Sequence, residues 1–326
     1  MKSLPPVGRI TAVLPIKNKK ETLAPCLASI AAACVADGNV RVVLVDNGST
    51  DGALVLQQHY ADRFHLISST ANRVGAVRNE GARDDPDAAV YAFIDSDCVV
   101  PPDFFVAVRE TFAISNAAAV GCEVVSRSDG HWTERTWDAL HRPRGDGPRH
   151  YINSACFCVR SEWFWRICGF DEEKVSSEDV DICRRLAARG GTMWQSERLQ
   201  VVHLGNPQSI SGLFARIRWH GAGIWEPGKG LQWSRITMAT FAHAAFVILG
   251  VISFAVFARS APLVGGALLI LSVLVAPVTF TLARMLQFRR LIPIIPSTAL
   301  MVITFFARLR GLLDSLGAAH RGGSTV

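Results

Sequence analysis

The sequence predicts an α/β fold with a mostly parallel sheet, followed by C-terminal transmembrane helices. Short apolar segments alternate with segments of helical spacing, which is typical of a parallel sheet covered on both faces. Polar motifs follow these apolar segments directly, at the carboxyl ends where such sheets bind ligands. The last part of the chain contains two uncharged stretches of about 20 residues, long enough to cross a bilayer.

The first strand is expected at residues 10–16, which end in the motif Pro15-Ile16-Lys17-Asn18. Apolar residues then recur at helical spacing in the order Leu23, Leu27, Ile30, Cys34. The second strand, 40–46, is stopped by the turn sequence 47–52, whose Gly and Asx residues favour unusual backbone angles. Segments 65–69 and 89–95 repeat the strand pattern.

The middle of the chain is less regular. Residues 126–149 are rich in Gly, Pro, Arg and His, which predicts a mobile surface loop. A strand-like run at 151–159 follows, then a helix at 178–189 and a last apolar stretch that ends at His203.

The C-terminal part is expected to lie in a membrane. Residues 236–257 and 263–283 predict two spans, whereas the shorter segment 291–307, with its two prolines, fits either a third span or an interfacial hairpin. The predicted organisation is therefore an α/β domain at 1–207, an amphipathic interfacial region at 208–235 and a membrane domain at 236–326.

The formal net charge is +6, and residues 236–326 carry all of it, with seven bases and one acid. The remainder holds 27 bases and 27 acids, so it has no excess positive field for a nucleic-acid backbone, and nucleic acid is excluded as a partner. The surplus is expected to face anionic lipid. With the N-terminal domain in the cytosol, the second span returns at residues 284–290, which agrees with an excess of positive charge on the cytosolic side.

The eight cysteines are scattered, without a CxxC pair, and are expected to be reduced. The start of the chain does not resemble a cleaved leader.

Asp95-Ser96-Asp97 follows a buried strand. Residues i and i+2 of a strand point to the same side, so Asp95 and Asp97 could converge on one hard cation, although an ordinary polar strand end has the same pattern. His203 closes a later strand and could complete the site, and its nitrogen would favour Mn²⁺ over Mg²⁺. A lone histidine is more often an ordinary polar residue.

Two further motifs suit a nucleotide. Asp46 and the turn that follows it could accept hydrogen bonds from a base or a ribose, or form a solvated turn only. A Gly-punctuated helix start offers backbone donors and one arginine to a diphosphate, and by itself is a weak signal. Its polar residues are Asn72, Gly75, Arg78 and Asn79.

Glu178 and Asp179 begin a helix after Ser177. Such acids are good capping chemistry, but one carboxylate could instead act as a general base on an acceptor hydroxyl. Residues 209–225 combine apolar positions with Arg and Trp, which suits a membrane interface; the alternative is a packing helix.

Taken together, from about residue 9 to residue 218, these motifs resemble the inverting glycosyltransferases of family 2, with their Rossmann-like A-type (GT-A) fold. The resemblance implies that Asp179 is the general base, supported by Glu178, and that a divalent ion, Mn²⁺ or Mg²⁺, is held by Asp95, Asp97 and His203. It implies that the donor is bound by a larger set: Pro15, Asn18, Asp46, Asn47, Gly48, Asp51, Asn72, Gly75, Arg78, Asn79, Asp95 and Ser96.

Arg218-Trp219 resembles the end of the Gln-x-x-Arg-Trp motif of processive members, an acceptor-side and interface element, but Ala215 stands in place of Gln. Residues 169–172 resemble the family's acceptor-side segment, and Lys17 stands where an aromatic residue is common.

The resemblance implies a multi-pass protein, with a cytoplasmic catalytic domain, in a bacterial inner membrane. It would move sugar from a nucleotide-diphosphate donor to a lipid-linked or saccharide acceptor, in contact with membrane lipid and with polysaccharide assembly partners. Two alternatives are weighed: a donor-binding scaffold subunit, and a sugar-phosphate nucleotidyltransferase. The second would need a Gly-rich, Lys-containing loop after the first strand, and the sequence does not contain one.

Overall fold

The structure is a computed structural model that describes residues 7–141, 145–226, 230–289 and 291–322. Three features considered in the sequence lie outside these residues: the start of the chain, predicted to have no leader; the part of the predicted loop at 142–144; and the charge of Arg290. The chain divides into two compact units. One comprises Met1–Arg127 and Pro143–Gly205, and the other comprises Ser128–Arg142 and Asn206–Val326.

The first unit contains a nine-stranded sheet in the described residues. Its strands are β1 Ile10–Ile16, β2 Val40–Asp46, β3 His65–Ser68, β4 Val90–Ile94, β5 Cys98–Val99, β6 Ala119–Val125, β7 Gly147–Arg149, β8 Cys156–Arg160 and β9 Met193–His203. The order is β3-β2-β1-β4-β8-β6-β9-β5, with β7 paired to β9. The strands β3, β2, β1 and β4 are parallel to one another, and β6 is parallel to β9. Strands β5, β7 and β8 run antiparallel to their partners. The mostly parallel sheet is confirmed.

Helices cover both faces of this sheet. They are α1 Lys20–Ala36, α2 Ala53–Gln57, α3 Val74–Arg83, α4 Phe104–Ser115, α6 Ser161–Arg166 and α7 Glu178–Ala188, while α5 Trp132–His141 belongs to the second unit. Alternate residues of β1 enter two separate apolar clusters because successive strand side chains point to opposite faces. Leu14 packs with α1 and α4, and Val13 packs with α3, α6 and α7.

The predicted mobile loop at 126–149 is wrong for most of its described length, because it contains α5 and β7. Thr133, Thr136 and Leu140 are buried at helical spacing in α5. The Gly, Pro and Arg content of the flanking residues concealed this pattern. The predicted strand 151–159 is also too long, since β8 begins only at Cys156 and the preceding residues are irregular.

The expectation that all cysteines are reduced is wrong for one pair, because Cys122 and Cys156 form a disulfide. β6 and β8 are antiparallel neighbours with Gly121 opposite Phe157, so the two cysteines face each other with their Cα atoms 5.6 Å apart. Their separation of 34 residues in sequence gave no spacing signal.

The second unit is mainly helical. Beside α5 it contains α8 Ile210–Ala222, α9 Arg235–Phe257, α10 Pro262–Phe288, α11 Ile294–Gly322 and a two-stranded ribbon of β10 Trp225–Glu226 and β11 Gly230–Leu231. Its apolar cluster joins Leu213 and Ile217 of α8 to Leu300 and Phe305 of α11. One face of α8 is therefore buried within the second unit, whereas the packing-helix alternative assigned this helix to the soluble domain.

Helices α9 and α10 are long and apolar enough to cross a membrane, by length and composition, and only 17% of the most apolar window of each is buried. They coincide with the two predicted spans. The predicted third span falls in α11, which is not in this class among the described residues. α11 buries Leu300, Met301 and Phe305 against its neighbours.

Candidate active site

The turn after β2 is joined to the end of β1 by reciprocal hydrogen bonds. Asn18, with a positive φ of 52°, donates its backbone N–H to Ser49 Oγ at 3.1 Å, and its Oδ1 accepts from the N–H of Thr50 at 2.8 Å. Asp51 accepts from the N–H of Lys20 at 2.8 Å, at the start of α1. Asp46 accepts from the N–H of Ser49 at 3.1 Å. These bonds join Asn18, Asp46 and the turn at 47–52 into one polar surface at the carboxyl ends of two adjacent strands. We call this surface the ledge.

Gly48 and Asn47 complete this ledge. Gly48 has a φ of 72°, the left-handed region that glycine adopts without cost, which lets the backbone turn sharply after β2. Asn47 donates from Nδ2 to the carbonyl of Ala71 at 2.8 Å and accepts from Lys17 Nζ at 3.1 Å. It therefore links the ledge to the segment that leads into α3.

Several predicted donor residues make contacts that hold the framework together, and their contact with a donor stays a prediction. Ser96 donates to the carbonyl of Pro15 at 2.8 Å, which ties β1 to the turn after β4. Asn79 is 1% exposed, and its side-chain amide is hydrogen-bonded to the backbone of Phe170 and to the carboxylate of Glu172. A Cβ at Gly75 would lie 3.0 Å from the carbonyl oxygen of Asp171. Asn72, by contrast, is exposed in the bend before α3.

Asp97 and His203 form a buried pair. The β5–β9 ladder places Cys98 opposite His203, and as a result His203 Nε2 lies 3.3 Å from Asp97 Oδ1. Lys19 Nζ lies 2.5 Å from the other carboxylate oxygen. A Cβ at Gly205 would overlap Asp97 Oδ2, so only glycine leaves room for this carboxylate. We call Asp97 and His203 the metal pair.

The metal pair fits a divalent ion chemically. Ligand atoms of Asp97, Cys98 and His203 lie within 4.8 Å of one another, and a carboxylate with an imidazole is a donor set that Mn²⁺ accepts. The thiol of Cys98 is turned to the carbonyl of Ala155, at 3.5 Å, and burial raises its pKa well above the usual value. Asp95, the other predicted ligand, forms an ion pair with Arg78, and its role at the metal stays a prediction.

Arg78 is the electrostatic centre of the site. It is 2% exposed, and its two terminal nitrogens reach Asp95 Oδ1 and Glu178 Oε1, each at 2.8 Å. Burial alone would lower the pKa of Arg78, but the two carboxylates outweigh burial and raise it. Its guanidinium also lies over the ring of Phe170, 5.4 Å from the centroid. One side chain thus joins the turn after β4 to the start of α7.

Glu178 and Asp179 have opposite electrostatic environments although they are adjacent. Burial would raise the pKa of Glu178, but Arg78 and Ser154 outweigh it, so the pKa of Glu178 is lowered. Burial and the negative charge of Glu178 raise the pKa of Asp179. Divergent pKa values in neighbouring carboxyls are typical of acid–base sites. The capping alternative is met in part, since Ser177 makes no side-chain cap hydrogen bond but Asp179 Oδ1 accepts from the N–H of Val180 in the first turn of α7.

Comparison with known proteins decides the family. Residues 92–307 match the model of glycosyl transferase family group 2, and residues 11–168 match the model of glycosyl transferase family 2. The chain belongs to glycosyl transferase family group 2. This membership confirms the resemblance drawn from the motifs and, at the level of the family, the transferase class that it implied.

Among family relatives, the pre-mycofactocin glycosyltransferase of Mycobacterium tuberculosis strain H37Rv is 27% identical over 225 residues, 65% of this chain and 46% of that protein. The validoxylamine A glucosyltransferase of Streptomyces hygroscopicus subsp. limoneus is 26% identical over 222 residues, 56% of this chain and 49% of that protein. The chain thus spans about half the length of the curated relatives it matches.

The fold resembles that of a mannosyltransferase from Pyrobaculum calidifontis solved in complex with GDP-Man and Mn²⁺. The TM-score is 0.57 at 15% identity, over 96% of this chain and 89% of that one. This likeness confirms the predicted GT-A fold.

Tyr151 and Ser154, which sequence reasoning missed, contact the candidate base of this family group 2 chain. The hydroxyl of Tyr151 donates to Asp179 Oδ2 at 2.6 Å, and the N–H of Ser154 lies 3.5 Å from the same oxygen. Both residues precede β8 in an irregular segment, so no periodic signal could have identified them. Lys19 was also missed, although a lysine after the first strand was a readable cue.

The remaining predicted site residues, Arg218 and Trp219, lie on α8 of the second unit. Arg218 Nε forms an ion pair with Asp314 Oδ2 of α11 at 2.5 Å. Trp219 is 49% exposed. Their predicted role at an acceptor or membrane interface stays a prediction.

Proposed function

We propose that the chain is a membrane-associated, inverting glycosyltransferase that moves a sugar from a nucleotide-diphosphate donor to a hydroxyl of a lipid-linked or saccharide acceptor. The observation that carries this proposal is the Arg78 bridge. It holds Asp95, of the donor motif, and Glu178, of the base motif, on a single guanidinium. Two motifs that the sequence separates by some eighty residues therefore act in one site.

The reaction is a single displacement. Asp179 takes the proton of the acceptor hydroxyl as its oxygen forms a bond to the anomeric carbon of the sugar. The bond from that carbon to the donor's diphosphate breaks, and the nucleoside diphosphate leaves with the electron pair, so the configuration inverts. The raised pKa of Asp179 suits this role, because a stronger base accepts the proton more readily near neutral pH.

The donor would lie over the ledge formed by Asn18, Asp46 and the turn at 47–52. A divalent ion, Mn²⁺ in preference to Mg²⁺, would be held by the metal pair with Asp95 close by. When bound, it would neutralise charge on the leaving diphosphate. The GDP-Man and Mn²⁺ in the Pyrobaculum calidifontis mannosyltransferase support this class of donor and ion.

Membrane association rests on α9 and α10, with a cytoplasmic catalytic unit and a bacterial inner membrane as the proposed setting. The basic surplus at 236–326 supports contact with anionic lipid, and assembly partners stay part of the proposal. The pre-mycofactocin glycosyltransferase and the validoxylamine A glucosyltransferase favour a second candidate acceptor, a molecule of the class to which pre-mycofactocin and validoxylamine A belong.

The test follows release of nucleoside diphosphate from UDP-, GDP- and dTDP-sugars in detergent, with Mn²⁺ or Mg²⁺, for the wild type, Asp97→Ala and Asp179→Asn. Asp62→Asn, an exposed site on another part of the unit, is the matched control. Lipid extract and a soluble-metabolite extract serve as alternative acceptor sources. Metal-dependent release from one donor, lost in both site variants and kept in Asp62→Asn, is expected. Full activity in Asp97→Ala or Asp179→Asn contradicts the mechanism, and donor binding without any turnover favours the scaffold alternative.

A further inference from the structure

Both carboxylate oxygens of Asp179 already accept hydrogen bonds. The N–H of Val180 donates to Oδ1 at 2.8 Å, and the hydroxyl of Tyr151 donates to Oδ2 at 2.6 Å. The first bond satisfies an N–H group in the opening turn of α7, where N–H groups have no carbonyl partner within the helix. Oδ2 is therefore the oxygen that can receive a proton from a substrate.

A general base must lie within about 2.6–3.2 Å of the hydroxyl whose proton it takes. The hydroxyl of Tyr151 stands at that distance from Oδ2 and is itself an O–H donor, so it has the chemistry and the position that the attacking hydroxyl needs. An acceptor cannot approach Oδ2 at hydrogen-bond distance along this direction while Tyr151 stays in place.

The surroundings of Tyr151 hold it at one end only. The residue as a whole is 45% exposed, its hydroxyl is turned inward to Asp179, and it lies in the irregular segment between β7 and β8. Burial and the charge of Asp179 hold the pKa of the Tyr151 hydroxyl well above its usual value, so it keeps its proton and remains a donor.

We propose that Tyr151 is a gate on the base: its hydroxyl covers Asp179 Oδ2 until the hydroxyl of an acceptor displaces it. The inference rests on the proposed function, in which Asp179 is the base. The gate keeps water from Oδ2 when only the donor is bound, and thereby limits hydrolysis of the nucleotide sugar.

The charges around the base give the gate a signature in pH. Burial and Glu178 raise the pKa of Asp179, whereas the Tyr151 hydrogen bond and Arg78 lower it, and Cys183 is the remaining titratable neighbour. Removing the Tyr151 hydroxyl thus leaves a stronger base. The acid limb of the rate then moves to higher pH, because the base must lose its proton before it can act.

The experiment measures release of nucleoside diphosphate without acceptor, from GDP-mannose, UDP-glucose and dTDP-glucose with Mn²⁺, as a function of pH. It compares the wild type with Tyr151→Phe, Asp179→Asn and the control Tyr60→Phe, which loses the same hydroxyl from the other side of the sheet. A net hydrogen bond of ordinary strength predicts that Tyr151→Phe hydrolyses donor roughly three to ten times faster than the wild type. Addition of methanol, a small alcohol, should raise turnover further in this variant.

The gate is overturned if Tyr151→Phe hydrolyses the donor at the wild-type rate or more slowly, or if neither protein releases nucleoside diphosphate. It is also overturned if the acid limb of the pH–rate profile stays in place. Tyr60→Phe must match the wild type. The result for Asp179→Asn separates the two levels: hydrolysis at the wild-type rate in that variant contradicts the base assignment itself, whatever Tyr151→Phe shows. Loss of hydrolysis in Asp179→Asn together with unchanged Tyr151→Phe contradicts the gate alone.

Discussion

Replacing Arg78 by methionine removes the only cation that the structure places on Glu178 within the described residues. The side chain of Glu178 is 10% exposed, so its charge would remain buried without a partner, whereas that of Asp95 is 28% exposed and regains water. Breaking a buried pair from one side costs about 3–5 kcal/mol. We expect the free energy of unfolding to fall by about 3 kcal/mol, near the lower end of this range, mainly because the charge of Glu178 is left without a partner.

The assay is thermal unfolding in detergent. A loss of about 3 kcal/mol corresponds to a fall in Tm of roughly 6–12 °C for a unit of this size. Arg83→Met is the matched control on the same helix, because the Arg83–Glu172 pair is about half exposed and worth at most about 1 kcal/mol. The double variant Arg78→Met/Glu178→Gln should recover much of the loss, since it removes the buried charge.

The loss should depend on pH. Arg78 lowers the pKa of Glu178, so this pair stabilises the fold above the unfolded pKa of about 4.3, and the stabilisation disappears as the pH falls through the lower folded pKa. The difference in Tm between the wild type and Arg78→Met should therefore be largest at neutral pH and shrink on acidification. A fall no greater than that of Arg83→Met, or a difference that widens in acid, would refute the reasoning.

Three further predictions concern close contacts. Gly205→Ala places a Cβ on the carboxylate of the metal pair and should weaken Mn²⁺ binding at least about ten-fold, measured by electron paramagnetic resonance. Gly38→Ala, at an open position, is the control and should bind Mn²⁺ as the wild type does. Equal affinities in the two variants would contradict the assigned site. Lys19→Met removes a competing cation from that carboxylate and should tighten Mn²⁺ binding roughly five-fold, about 1 kcal/mol, and weaker binding would show that Lys19 assists the ion. Gly311→Ala forces a Cβ into the backbone of α8 and should lower the free energy of unfolding by about 1–3 kcal/mol, measured by thermal melting. Gly266→Ala, which has open space around it, is the control and should leave stability unchanged. A Gly311→Ala variant as stable as the wild type would rule out the close crossing of α8 and α11.

The parts of the fold that the sequence predicted well are those with local signals. The strand that ends at Asp46 was readable because an apolar run stops abruptly at Gly and Asx residues, and the two apolar helices were readable from length alone. The helix α5 was not, since its four buried positions lie among polar residues between segments rich in Gly and Pro.

The candidate site was predictable by residue type but not by partner. Arg78 was assigned to a diphosphate because it begins a polar helix, yet its contacts are carboxylates 17 and 100 residues away. The contact between Tyr151 and Asp179 joins an irregular segment to a helix 28 residues later. Pairings of this kind depend on how strands β4 and β8 are placed beside each other, which no local pattern specifies.

The division of the chain into units affects how the protein can be shortened. Helix α5 lies inside the sequence of the sheet-bearing unit, but its buried Leu140 packs in the apolar cluster of the second unit, with residues such as Leu213 and Leu300. A truncation that ends near residue 207 would keep α5 and delete its partners, which exposes its apolar face and favours aggregation. A soluble catalytic fragment of this chain should therefore replace residues 128–142 by a short polar linker rather than simply stop before the apolar helices.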